Sequence, residues 1–134
     1  MTREALNPAG LRDTRAIYSQ AIRTRGGTTI HCAGQVAVDR DGVIHGQGDI
    51  VAQCRHALAN LKLLLAEAGA TPADVASTRI YVVDHKPEYL QTVMPEIVRF
   101  FAGAPLPAST WVGVAALARP EILIEIEATA VIGG

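Results

Sequence analysis

Two stretches of the chain hold residue types that can do chemistry on a small molecule. In LPASTWVGVAAL, residues 106–117, the hydroxyls of Ser109 and Thr110 stand beside Trp111, the one tryptophan of the sequence. Hydroxyls can bind a neutral polar group and an indole offers an apolar face, but none of the three can neutralise a carboxylate. In EILIEIEATAVI, residues 121–132, Glu125 and Glu127 fall two apart. A strand puts alternate residues on one face, so the two carboxylates share a face and repel wherever both are buried and ionised. Solvation or pairing with arginine is the commoner reason for such a pair. The functional alternative is that one of them stands in a cleft and holds a water as general base. Tyr18 in IYSQ is either a core ring or a cleft lip whose hydroxyl needs a partner. Gly34 in CAGQ is either a strand bulge or a place where a ligand approaches the backbone. Trp111 shares its strand face with Gly113, so its ring stands over a gap, as filler or as a platform.

The remaining reactive residues form no recognisable set. Cys32 and Cys54 fall in different elements, and His31, His45, His56 and His85 show no HxH, HExxH or CxxC spacing. No metal site is expected from them. A net charge of −1 gives no basic footprint, so nucleic-acid binding is not expected. No apolar run approaches the roughly 20 residues needed to span a bilayer. The opening MTREALNPAGLRDT lacks the apolar core of a signal peptide, so a cytoplasmic location is expected and no membrane partner. With 134 residues the chain fits one domain: a polar arm over 1–14, then a single domain over 15–134. Its 49% hydrophobic content predicts a large core or apolar surface covered by other subunits.

The elements that must position these residues read clearly in places. RAIYSQAIRT and TTIHCAG, separated by RGG, read as a β-hairpin. DRDG, residues 39–42, is a turn with Gly42 at positive φ. Over 49–69, Ile50, Cys54, Ala57, Leu58, Leu61, Leu64, Leu65 and Ala68 make the stripe of an amphipathic helix. Asp49 is its N-cap and Gly69 its C′ residue, and Pro72 prevents continuation. STRIYVVDH is a strand. Residues 86–101 form a second helix with the stripe Leu90, Val93, Ile97 and Phe101, bent at Pro95. Strands over 109–115 and 121–132 complete an α+β order in which two helices cover one face of the sheet. The other face must be hidden by something else, and we expect subunits to pack there.

Taken in order, IYSQAI, CAGQVAVD, ALANLKLLLAEAGA, STRIYVVD, a helix ending in FF, LPAS and IEIEATAV resemble the RidA/YjgF family of reactive-intermediate (imine) deaminases from Tyr18 to Val131. The resemblance implies a chorismate-mutase-like subunit with a mixed β-sheet and two helices on one face. It also implies a homotrimer with ligand clefts between subunits, a small-molecule ligand, and no metal or organic cofactor. Family members that hydrolyse imines carry an arginine after the PA of LPAS, which pairs with the substrate carboxylate. Here that position is Ser109. Trp111 stands where those enzymes often have cysteine, and Ala33 replaces their serine. Met94 and Ile97 map to their cleft-facing asparagine and tyrosine. Tyr18, the Gly34 backbone and Glu125 are retained, the last two being the pair that the family uses to position water.

The expected site therefore consists of Glu125 and Gly34 as the catalytic pair, with Tyr18, Ala33, Met94, Ile97, Ser109, Thr110 and Trp111 binding substrate. Losing a charge-assisted contact costs about 1.5–3 kcal/mol, more than tenfold in affinity. Weak turnover of 2-imino acids follows. The expected reaction is hydrolysis of an enamine, imine or related C–N bond in a neutral or aromatic substrate. The alternative is a non-catalytic trimeric binding or protein-protecting module.

Overall fold

The computed structural model describes residues 1–102 and 105–133. In chain order the elements are β1 (Thr2–Leu6), β2 (Ala21–Arg25), β3 (Thr28–Gln35), α1 (Ile50–Glu67) and β4 (Val75–Val83). The short helices α2 (Tyr89–Thr92) and α3 (Met94–Phe100), then β5 (Ala108–Val114) and β6 (Ile124–Ile132), follow, and a 3-10 turn over Pro72–Asp74 leads into β4. Four strands form a mixed sheet in the order β3-β6-β4-β5, with β4 and β5 parallel and the other pairs antiparallel.

The α1 helix forms because its sequence supplies both ends and one apolar stripe. Asp49 accepts the backbone N–H of Ala52 at 3.1 Å, satisfying one of the donors that a helix start leaves free. At the other end Gly69 sits at φ +74, and Ala70 N–H reaches Leu65 O at 2.8 Å, closing a Schellman turn. Cys54, Ala57, Leu58, Leu61 and Leu65 are buried against Ile80, Val82, Ile124, Ile126, Ala128 and Ala130 of the sheet. The expected stripe misses at two places: Leu64 stands on the shoulder of the helix, 36% exposed, and Ala68, the C-cap residue, is half-buried. Gln53 is the polar exception, fully buried and satisfied by three backbone partners. Its Nε2 donates to Gly46 O (3.2 Å) and Glu121 O (2.9 Å), and its Oε1 accepts Leu123 N–H (2.8 Å). This clamp ties the start of α1 to the run-in of β6.

The second helix is divided rather than bent. The helix is interrupted at Val93, so α2 ends at Thr92 and α3 starts one residue before Pro95, whose ring cannot follow a continuous helix. Val93, Ile97 and Phe101 are buried as the stripe requires, whereas Leu90 is half-exposed.

The expected hairpin between β2 and β3 does not form. Gly26 and Gly27 take positive φ of 70° and 80°, but they redirect the chain instead of folding it back. β2 pairs with β1 in an antiparallel ribbon, with Thr2 opposite Arg25 and Leu6 opposite Ala21. The segment read as a polar arm thus contributes a strand. The ribbon is fastened to the end of the sheet where β4 and β5 begin. Ser19 bridges Ala108, and Arg3 donates to Val75 O (2.7 Å) and Pro105 O (2.9 Å). The turn at residues 39–42 is as expected, with Gly42 at φ +80 and Val38 bridged to Ile44.

Candidate functional site

β5 is the strand that builds a cavity. Its register against β4 pairs Ser109 with Thr78 and Trp111 with Ile80, which places both on the helix-covered face. Thr78 is buried, and its Oγ1 donates to Ser109 Oγ at 3.0 Å, which fixes the serine hydroxyl at the cavity wall. The indole of Trp111 lies over α3. Ile17, Tyr18, Ile80, Met94, Ile97, Val98, Ser109 and Trp111 together enclose about 160 Å³. A cavity of about 150 Å³ lined by apolar side chains holds a benzene-sized ring. Among the described residues the lining carries two hydroxyls and no charge. Arg99 lies in the adjoining groove with Leu90 and Pro95, but its guanidinium is held by Glu96 at 3.0 Å.

Five of the expected site residues therefore meet in one place: Tyr18, Met94, Ile97, Ser109 and Trp111. Four do not. Alternation on β6 sends Glu125 and Glu127 to the opposite face of the sheet, beside Tyr81 and Arg79 of β4. Gly34 is on that same face, at a break in the β3–β6 register between Cys32 and Gln35. A Cβ built on Gly34 would collide with the carboxylate of Glu125, 2.6 Å from its Cδ. The glycine is what admits that side chain. Ala33 is exposed on β3, and Thr110, next to Ser109 on the strand, turns the other way and is exposed. Trp111 consequently cannot shield Glu125 within one subunit, because the sheet stands between them.

The pair of glutamates is divided in environment. Glu127 accepts the Tyr81 hydroxyl at 2.8 Å and lies 3.7 Å from Arg79, so it answers to the ordinary explanation of pairing. That hydrogen bond, with burial and the negative charge behind it, raises the Tyr81 phenol above its usual range. Glu125, half-buried beside Gly34, is the one with a built surrounding. Among the described residues no group of three His, Cys, Asp or Glu is arranged to hold a metal ion. No helix among them is long and apolar enough to cross a membrane.

Sequence reasoning missed Ile17, Ile80 and Val98 on the cavity wall. It also missed His85, whose Nδ1 accepts the Trp111 indole N–H at 3.1 Å. The signal was present in Gly113: a strand residue without a side chain, on the tryptophan's own face, leaves room for something to sit beside the ring.

Comparison with known proteins agrees with this architecture. Residues 11–132 match the family model described as Endoribonuclease L-PSP. A crystal structure of YyfB from Yersinia pestis, a protein of unknown function of the conserved Rid family, is 45% identical. It superposes with a TM-score of 0.94, covering 98% of this chain and 100% of that one. A RutC family protein of Pyrococcus abyssi is 35% identical over 113 residues, 84% of either chain. A 2-iminobutanoate/2-iminopropanoate deaminase of Dermatophagoides farinae is 28% identical over 115 residues, 86% of this chain and 85% of its own. TdcF of E. coli, solved with bound serine, superposes with a TM-score of 0.70 at 26% identity, covering 96% and 94%.

Proposed function

Since the chain belongs to the Rid family, also described as the endoribonuclease L-PSP family, we propose that it hydrolyses a neutral imine or enamine bearing a flat apolar group. Membership supports an imine-deaminase-related function at the coarse level. The finer reading rests on one observation: Ser109, hydrogen-bonded to Thr78, stands in the cavity beside Trp111, and among the described residues no cationic side chain lines that space. A substrate carboxylate would find two hydroxyls there and no charge to pair with, whereas a ring and a neutral polar group would be matched.

The reaction needs a water and a base, and Glu125 with Gly34 supplies the candidates. They lie on the far side of their own sheet from the cavity, so on this reading the site is composite. The cavity of one subunit receives the Glu125 face of a neighbour, as the clefts between subunits implied by the family resemblance would arrange. Glu125 takes a proton from the water, the hydroxide adds to the imine carbon, and the C=N electron pair moves to nitrogen, which is protonated. Collapse of that adduct breaks the C–N bond, releasing the amine or ammonia and leaving a carbonyl. A ribonuclease reading finds no support in a chain of net charge −1.

The test offers the purified protein benzaldimine, made in situ from benzylamine by an amine oxidase, and 2-iminopropanoate, made from alanine by an amino-acid oxidase. Ammonia release is followed beside Glu125→Gln and a protein-free control. Faster release from benzaldimine than in buffer, lost in Glu125→Gln, is expected. Preference for 2-iminopropanoate, or equal rates in the variant and the parent, overturns the proposal. A second reading, a binding module without turnover, is favoured by the separation of Glu125 from the cavity; saturable binding of benzaldehyde without ammonia release would establish it.

A further inference from the structure

Four independent features converge on His85, which follows β4. Asp84 sits at φ +51, the positive-φ position among the described residues that is not glycine, and turns the chain sharply as it leaves β4. Gly113 leaves the surface of β5 bare where His85 arrives; a Cβ there would stand 3.2 Å from His85 Cβ. The imidazole then meets the indole edge-on, with ring centroids 5.9 Å apart at 71°, and Tyr89 of α2 meets it from another side at 6.2 Å and 66°. Finally, Trp111 Nε1–H donates to His85 Nδ1 at 3.1 Å.

An indole nitrogen can only donate. The Nδ1 of His85 must therefore carry its lone pair, and the ring proton sits on Nε2. An imidazolium has no lone pair to offer, so a second proton on His85 sets two N–H groups against each other and ends the contact. We propose that His85 is a positioning residue of the cavity, one that fixes the Trp111 indole as a wall only while the imidazole is uncharged. The inference rests on the proposed ligand cavity for its consequence, but not for its geometry. Among the described residues, the titratable groups placed against His85 or beside it in the chain are Tyr89, Asp84 and Lys86, and the last two lie 3.9 Å from each other.

Trp111 is the only tryptophan, so its emission and its polarisation decay report this ring alone. The experiment titrates both between about pH 5 and 8, the range in which imidazoles exchange their charge. It compares the parent, His85→Asn, which keeps an acceptor near the Nδ1 position without a charge change, and His85→Ala. Benzamide, a flat neutral probe, is titrated into each protein. In the parent, acidification should change the emission with a one-proton curve, speed the indole's depolarisation and weaken benzamide about fivefold, the worth of one net hydrogen bond. His85→Asn should hold the slow depolarisation and the tighter binding at every pH; His85→Ala should show the fast, weak state throughout. A flat parent curve, or His85→Asn titrating as the parent does, overturns the assignment. Should His85→Ala fail to fold, the parent and His85→Asn still decide it. Loss of benzamide binding in the parent with the emission curve intact would instead sink the cavity reading and uphold the role of His85 toward the ring.

Discussion

Gly34→Ala is a one-carbon test of the proposed water-holding corner. Gly34 is not among the glycines at positive φ, so its backbone does not itself demand glycine. What a methyl group would meet is Glu125 alone among its nearest contacts: the carboxylate first, then Cδ at 2.6 Å and Cγ at 2.8 Å. Real carbon contacts do not stay so short, so either the glutamate swings out or the β3 bulge shifts. Overpacking costs about 1–3 kcal/mol in a packed core. Because every clashing atom here belongs to one flexible, half-buried side chain, the loss should fall at the low end, about 1 kcal/mol. In a domain of this length that is a fall in melting temperature of about 3–4 °C. All three clashing atoms belong to the glutamate beyond its Cβ, and Glu125→Ala deletes every one of them. The double variant should therefore recover most of the loss, with a coupling energy of about 1 kcal/mol in a denaturant cycle. If Gly34→Ala lies within 0.5 kcal/mol of the parent, by the roughly neutral range of surface changes, the reasoning fails. It fails equally if Gly34→Ala costs as much in the Glu125→Ala background as in the parent. On the proposed reaction, displacing the carboxylate should also abolish ammonia release as fully as Glu125→Gln does.

Three further outcomes follow from other parts of the molecule. Gln53→Leu takes the side-chain partner from Leu123 N–H and Glu121 O and leaves Gly46 O with Asp49 N–H alone, a loss of about 2–4 kcal/mol readable by urea unfolding. Glu96 is held below the ordinary carboxylate range by hydrogen bonds from Arg55 and then Arg99, with burial opposing in part. Its contribution is thus full above the unfolded carboxylate's range and fades as the pH falls through the lowered folded value; Glu96→Gln should flatten that acid limb of the stability curve. Burial pushes the Cys54 thiol up to about 12 and raises Cys32 as well, so neither should react with a thiol reagent at neutral pH until denaturant is added.

Which of these features could be read before the fold was known depended on whether their cause was local. The caps and stripe of α1 are set by residues three and four apart, and both ends appeared where Asp49 and Gly69 stand. Alternation on β6 sorted isoleucines from glutamates correctly, because a one-residue slip would bury the charges. Pro95 announced a bend, and the structure has a break two residues before it, at Val93. The β1–β2 ribbon was invisible: TREAL is short and polar, and its partner strand begins 15 residues beyond its own last residue. Two glycines after a strand suggested a hairpin, yet positive φ fixes a change of direction and leaves the partner to tertiary packing. The same divide runs through the site. Ser109 and Trp111 could be assigned to one face from their spacing, but their relation to Glu125 depends on which face the helices choose. His85 belonged to no spacing at all, since it reaches the ring through the turn at Asp84 and across the bare Gly113.

The placement of helices on a single face has a consequence for how such a chain could act. α1, α2 and α3 close the cavity side of the sheet, so a ligand there is screened by apolar walls and by one fixed hydroxyl. The carboxylate that would activate water stands on the uncovered side, where Glu127, Tyr81 and Arg79 already satisfy one another. A sheet is one residue thick but opaque to chemistry: groups on opposite faces are kept apart by the backbone and by both side-chain layers. Under the proposed reaction, one subunit therefore holds both halves of the machinery and can use neither alone. Catalysis would then rise and fall with assembly, and dilution below the dissociation constant of the assembly should abolish ammonia release while the cavity of each separate subunit still binds benzamide. Turnover that persists in a demonstrably monomeric protein would show that Glu125 is not the base.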